Sequence, residues 1–404
     1  MNCALYNFQM KKITVYYIWL AFSILSLSAI AIITLKLPLH GDERHIVDTI
    51  RLFTANYNLE IIKDYPEVTP PFFFYFYATW SKFFGSSVES LRILTLLISL
   101  ITWQLIFYLN SLFTKKSIHT LLLSLLVIVN PYFLGTSVFV FTDMPTIMFC
   151  LAAVIFFIKD KIFLFTIFSA FAILCRQYAV IFPLAVISYW LINFLSGKEI
   201  NKTHLITSLT SFVPLAVFLI IWEGISPASG VKKWVIANSL LYNIDYINTY
   251  LTFSVVYCFP LLIIFFKKIK VDYRNIILAF LITLVLCLFP VKPSLATITQ
   301  TDYKTVGYVH AALVKIFGSY SIILKIVLWI FLFIGCYINV VIIKRFLSAL
   351  ISKDLQKEMI FIILWILFLF IMPLSYQVWE KYLLLILPYF LLSIYNTIPF
   401  SYRE

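Results

Sequence analysis

The chain has 404 residues, of which 62% are hydrophobic and 12% charged, with a mean hydropathy of +0.98. An ordinary soluble domain carries roughly 25% charged residues, so the composition excludes a soluble enzyme and implies an integral, multi-pass membrane protein. The net charge of +13 would suggest nucleic acid in a soluble chain; here the basic residues sort by side of the membrane, and nucleic acid is not an expected partner.

Apolar runs of about 17 to 25 residues recur from end to end, the length an α-helix needs to cross the hydrocarbon layer. Alternating strand patterns are missing, so the fold class is all-α, with helices that satisfy their own backbone in lipid. The first run, 13–35, follows Lys11 and Lys12 as a secretory leader would, yet its length and the lack of a small-residue exit predict a retained anchor. Further helices are predicted over 89–112, 118–134, 143–158, 162–174, 178–195, 204–222, 246–266, 275–290, 319–343, 359–374 and 382–398, about twelve in all, with 162–174 short for a span.

With a cytoplasmic N-terminus, the connections at 115–116, 159–161, 196–202, 267–274 and 344–358 fall inside, and each is basic. Of the 31 basic and 18 acidic residues, 17 and 6 then lie inside, and 14 and 12 outside. That asymmetry satisfies the positive-inside rule and supports the orientation. The sequon at Asn201–Thr203 falls inside and should stay unmodified. The outer connections are 36–88, 222–245 and 291–318. In the first, "PPFFFYFYATWSKFFG" is short, aromatic and opened by prolines, so it predicts a helix lying in the membrane interface. Neither repeat nor linker is visible, and the chain is expected to be one transmembrane domain, 1–404, with 36–88 as its first outer loop. The six cysteines show no paired spacing and are expected to be small core residues.

"HGDERH" places Asp42, Glu43 and His45 at the mouth of the first span. Removing a proton from a hydroxyl requires a carboxylate or imidazole within hydrogen-bond reach, and this loop supplies both. The two acids would point about 100° apart on a helix, so one suffices as base. The plainer reading is a solvated cluster beside lipid headgroups. Asp143, alone in "VFVFTDMP", is either a helix cap ahead of Pro145 or a costly carboxylate kept for function. Arg176 is the only charge between Lys161 and Lys198; it either snorkels or grips a phosphate. Outer lysines Lys232, Lys233, Lys292, Lys304 and Lys381, with His310, break the positive-inside pattern and call for an anionic partner, whether a substrate phosphate or membrane lipid.

"GDERH", "DYPEVTPPFFFYFYA", "VFVFTDMP", "CRQYAV", "WEGI" and "EKYLLLILP" follow one another in the order of signatures in the dolichyl-phosphate-glucose α-1,2-glucosyltransferases, which add the last glucose to the lipid-linked oligosaccharide. The chain resembles that family through short islands spread over most of its length. Phe72 stands where the family pattern has glycine after the double proline, Tyr178 where it has threonine, and Glu223 where it has asparagine. The resemblance implies a GT-C superfamily fold with its active site in the outer loops. It also implies a polyprenyl- or dolichyl-phosphate sugar as donor, a glycan or lipid-linked oligosaccharide as acceptor, and inversion at the anomeric carbon. Asp42 matches the catalytic aspartate, with Glu43, His45 and Asp143 beside it. Arg176, Lys381, Lys232 and Lys233 would receive the donor phosphate, and Thr69, Pro70, Pro71, Thr142, Gln177, Trp222, Glu223 and Glu380 would shape the substrate loops. No cofactor is expected; a divalent metal is compatible with the hard ligands but the resembled family is metal-independent.

Related transferases moving mannose to protein or aminoarabinose to lipid fit the same pattern. A secondary transporter fits the helix count, but only 9 glycines occur and no repeat is visible. A noncatalytic scaffold leaves the outer charges without a purpose. The membrane of residence follows the source: plasma membrane in a prokaryote, endoplasmic reticulum in a eukaryote.

Overall fold

The computed structural model describes residues 3–199, 201–230, 242–265, 271–294, 297–298, 304–319 and 321–397, with side chains from residue 13 onward. Among these the structure is all helical and has no strand. Among the described residues seven helical segments, counting 202–221 as one, are long and apolar enough to cross a membrane, and shorter apolar helices accompany them. With this composition the protein is an integral membrane protein.

In chain order the helices are α1 (Cys3–Thr34), α2 (Glu43–Ala55), α3 (Phe72–Phe84), α4 (Val88–Phe113), α5 (Ser117–Ile128), α6 (Pro131–Thr136), α7 (Asp143–Ile158), α8 (Ile162–Cys175), α9 (Ile181–Leu195), α10 (Lys202–Thr210), α11 (Val213–Ile221), α12 (Ile244–Phe265), α13 (Tyr273–Leu286), α14 (Tyr308–Phe317), α15 (Ile322–Ile351), α16 (Ile360–Ile371) and α17 (Leu387–Thr397). The predicted run 118–134 is split at Asn130, whose side chain caps α6 ahead of Pro131. Likewise 204–222 divides into α10 and α11 just before Pro214, because proline lacks the amide that would continue the ladder. The last predicted helix opens with a 3-10 segment over Glu380–Leu385 before α17. α15 runs on past its predicted end at 343 to Ile351, taking Lys344 and Arg345 into the helix.

The chain forms two compact units: residues 1–180 with 207–231, and residues 181–206 with 232–404. In the first, α7 and α8 pack as a hairpin, α4 lies against α1, α5 and α7, and α11 lies against α8. Two helices, α2 and α3, fall within the predicted first outer loop, 36–88. α2 buries Ile46, Val47, Ile50 and Phe53 along one face against α3, the i, i+4, i+7 stripe of a half-buried helix. α3 buries Phe73, Phe74 and Tyr77 and leaves Phe83 and Phe84 exposed. It stops at Gly85, whose φ of +83° favours glycine. Phe72, the departure from the resembled pattern, stacks on Phe171 of α8 at 4.7 Å and ties α3 to the hairpin.

In the second unit α12 and α13 pack on α15, while α16 lies against α9 and α17. A Cβ at Gly335 would come within 2.4 Å of the Leu251 carbonyl oxygen. The missing side chain thus lets the α12 and α15 backbones touch, as small residues do between membrane helices.

Candidate functional site

Asp42 and Glu43 open α2, and the helix start turns them to different surroundings. Asp42 holds the N-cap position with helical dihedral angles and makes no side-chain capping bond. Its side chain is 60% exposed, with Oδ1 3.7 Å from His45 Nε2 one turn along. The other ring nitrogen, Nδ1, lies 2.5 Å from Glu67 Oε1. Glu67 is buried and also takes a long 3.5 Å bond from the Thr49 hydroxyl. The carboxylates of Asp42 and Glu67 beside the ring raise the His45 pKa from 6.5 to about 10, so an imidazolium bridges them at neutral pH.

Glu43 is fully buried. Its oxygens receive Arg92 Nε at 2.9 Å and Nη2 at 2.6 Å, the forked pairing that guanidinium favours. They also accept the Val140 amide at 3.0 Å and the His40 amide at 3.1 Å. Arg92, itself buried in α4, donates further to the carbonyls of Thr34, Leu35, Leu37 and Pro38. Those carbonyls lie at and beyond the end of α1, where helical partners run out. One ion pair therefore fastens the exit of α1, the start of α2 and the loop before α7. Glu43 was expected beside Asp42 in the chemistry; the structure commits its carboxylate to Arg92 and two amides.

The second cluster lies at the start of α7, three residues beyond Val140. Arg176 Nη2 reaches Asp143 Oδ2 at 3.0 Å, and its Nε donates to the Thr142 hydroxyl at 2.6 Å. The Tyr178 hydroxyl donates to Asp143 Oδ1 at 3.3 Å, and its ring lies 5.3 Å from the guanidinium carbon. Asp143 and Arg176, expected as separate elements, form one ion pair in which Asp143 is buried and Arg176 partly so, and Tyr178, the departure from threonine, supports it. Gln177 Nε2 donates to the Val68 carbonyl at 2.5 Å, next to Thr69, while the Tyr65 hydroxyl donates to the Thr69 carbonyl at 2.7 Å. Pro70 and Pro71 lead into α3, with Pro71 at its N-cap position. Trp222 Nε1 donates to the Ile62 carbonyl at 2.7 Å, and Glu223 follows it, exposed at a φ of +50°.

Glu380 and Lys381 belong to the second unit. Glu380 is buried and accepts the amides of Val309 and His310 at 3.0 and 2.8 Å and the Tyr257 hydroxyl at 3.0 Å. It thus supplies an acceptor for the open amides of α14, as an acidic group at a helix N-terminus does. Lys381 is part-exposed beside it, and Lys304 is exposed. Lys292 lies 4.0 Å from Asp245. Lys232 and Lys233 lie outside the described residues. Among the described residues, no group of three or more His, Cys, Asp or Glu side chains could hold a metal ion.

The sequence reading passed over Glu67 and Arg92. Arg92 had a signal, since an arginine four residues into an apolar run is costly unless paired. Glu67 had only its place in "DYPEVTPP".

Residues 68–222, less than half of the chain, match the family model of the dolichyl-phosphate-mannose-protein mannosyltransferases. The matched stretch includes Thr69, Asp143, Arg176, Gln177 and Trp222 and begins after Asp42. This match supports a glycosyltransferase of the GT-C superfamily. No curated protein and no solved structure matches the chain.

Proposed function

We propose that the protein is an inverting glycosyltransferase that moves a hexose from a polyprenyl- or dolichyl-phosphate donor to a hydroxyl of a glycan or lipid-linked oligosaccharide. The observation that carries this reading is the exposed Asp42 carboxylate, held by His45 just beyond the first membrane span. Asp42 takes the proton of the acceptor hydroxyl as its oxygen attacks the anomeric carbon. The bond from that carbon to the phosphate oxygen breaks with inversion, and the lipid phosphate leaves with the electron pair. A phosphate is already a good leaving group, so the protein needs a base and cations rather than an acid. Arg176, steadied by Asp143 and Thr142, is the cation assigned to the departing phosphate. Asp143 orients Arg176, and the loops around Thr69, Pro70, Pro71, Gln177, Trp222 and Glu223 frame the substrates.

The signature order of the sequence favours glucose as the sugar. The match over 68–222 favours a second reading, mannose transfer to protein. Purified protein in liposomes, given polyprenyl- and dolichyl-phosphate glucose, mannose and aminoarabinose with oligosaccharide and peptide acceptors, separates these. Hexose transfer with stoichiometric release of lipid phosphate is expected, and inactivity across the whole panel would contradict the proposal.

A further inference from the structure

The loop that carries Glu67 is held from behind by the segment after α11. The Ser229 amide donates to Asp64 Oδ1 at 2.7 Å, and the Ser229 hydroxyl donates to the other oxygen. Both bonds hold the Asp64 carboxyl below the usual range. Trp222 and Gln177 grip the carbonyls of Ile62 and Val68, so the backbone is fixed on both sides of Glu67. At Gly230 the approach is closest: a Cβ there would lie 2.3 Å from the Glu67 carbonyl oxygen. Only glycine fits without moving the loop.

This bracing holds a buried carboxylate, which is costly unless a charge-bearing partner offsets it. The partner is His45, whose side chain is 56% exposed while that of Glu67 is 10% exposed. The buried acid thus fixes one nitrogen of a ring whose other nitrogen lies 3.7 Å from Asp42 Oδ1. We infer that Glu67 is a positioning residue that acts through His45 to orient the Asp42 carboxylate, and that Ser229 and Gly230 set the position of Glu67 in turn. The inference rests on the reading of Asp42 as the base. It extends the site from the first outer loop to a segment almost 190 residues away in the chain.

The test is a kinetic cycle in liposomes. Displacing a reacting group by about 1 Å costs up to about a hundredfold. Glu67→Gln and His45→Gln should therefore each lower kcat by about tenfold to a hundredfold while KM for donor and acceptor stays within about twofold. Glu67→Asp, which keeps the charge, should recover part of the loss, and Gly230→Ala should lower kcat in the same direction. In the Asp42→Asn background, neither Glu67→Gln nor His45→Gln should slow transfer further, because residues acting through one group are not additive. Wild-type kcat in both Glu67→Gln and His45→Gln, or losses that multiply with that of Asp42→Asn, would overturn the inference. If Glu67→Gln fails to insert, His45→Gln, altered at a half-exposed side chain, decides by the same cycle. Near-normal transfer by Asp42→Asn would instead remove the base reading beneath it.

Discussion

Asp42 and Glu43 carry the same functional group one residue apart, and the surroundings of each differ in every respect that matters for chemistry. Around Glu43, a guanidinium and two amides supply four donors to a carboxylate with no exposed surface. Around Asp42, His45 Nε2 lies 3.7 Å away as an ion-pair contact and more than half of the side chain is exposed. A buried pair with every donor matched holds geometry, and its oxygens are already occupied by donors. An exposed carboxylate held on one side by an imidazolium can still meet a substrate hydroxyl. Neighbouring acids of one motif thus have different surroundings: Glu43 locks the loop, and Asp42 is the one that the proposed mechanism uses.

The comparison breaks most visibly at Arg92. Arg92→Ala leaves Glu43 buried without its cation, and removing one partner of a buried pair typically costs about 3–5 kcal/mol. Thermal unfolding in detergent should show a large loss of stability, whereas Arg44→Ala, at an exposed position on α2 next to Glu43, should unfold like wild type. Equal stability of the two variants would mean that the pair holds nothing. A smaller effect belongs to Arg176: Arg176→Gln removes a charge-assisted contact worth about 1.5–3 kcal/mol, so donor-dependent turnover should fall by about tenfold to a hundredfold. Acceptor dependence should change little, and unchanged donor kinetics would return Arg176 to a purely structural pairing with Asp143.

The smallest effect sharpens the Asp42 side of the contrast. The folded pKa of His45 lies near 10, above its ordinary value of 6.5. The folded state therefore binds this proton more tightly than the unfolded one. Its contribution to stability is complete below about 6.5 and is lost as pH rises through about 10. The wild-type protein should lose melting temperature relative to His45→Gln between pH 7 and 11; parallel curves would show that the ring is not held as a cation.

The sequence made the helices legible because span length and loop charge are strong, local signals. The breaks at Asn130–Pro131 and before Pro214 were written in the prolines and were passed over inside long apolar runs. α2 was harder to read. Its stripe of Ile46, Val47, Ile50 and Phe53 is interrupted by Asp48 and Arg51, and its first turn looks like a charged loop. Asp42, His45, Asp143 and Arg176 stood out as charges in an apolar chain, but their pairing did not. Which carboxylate meets which cation depends on contacts 49 residues apart for Glu43 with Arg92 and 33 apart for Asp143 with Arg176, and no local pattern encodes them. Glu67 looked like any loop acid because its contacts, His45 on its carboxylate and Gly230 against its backbone, lie far away in the sequence.

The central claim, that Asp42 acts and Glu43 holds, is tested most directly by measuring turnover and thermal stability together in Asp42→Asn and Glu43→Gln. General base catalysis is typically worth about 10²- to 10⁴-fold, so Asp42→Asn should lose that much transfer while melting within a degree or two of wild type. Glu43→Gln should instead melt far lower, because Arg92 is left buried without its counter-charge. The opposite pattern, with Asp42→Asn transferring sugar at the wild-type rate and Glu43→Gln folded but inactive, would contradict the account.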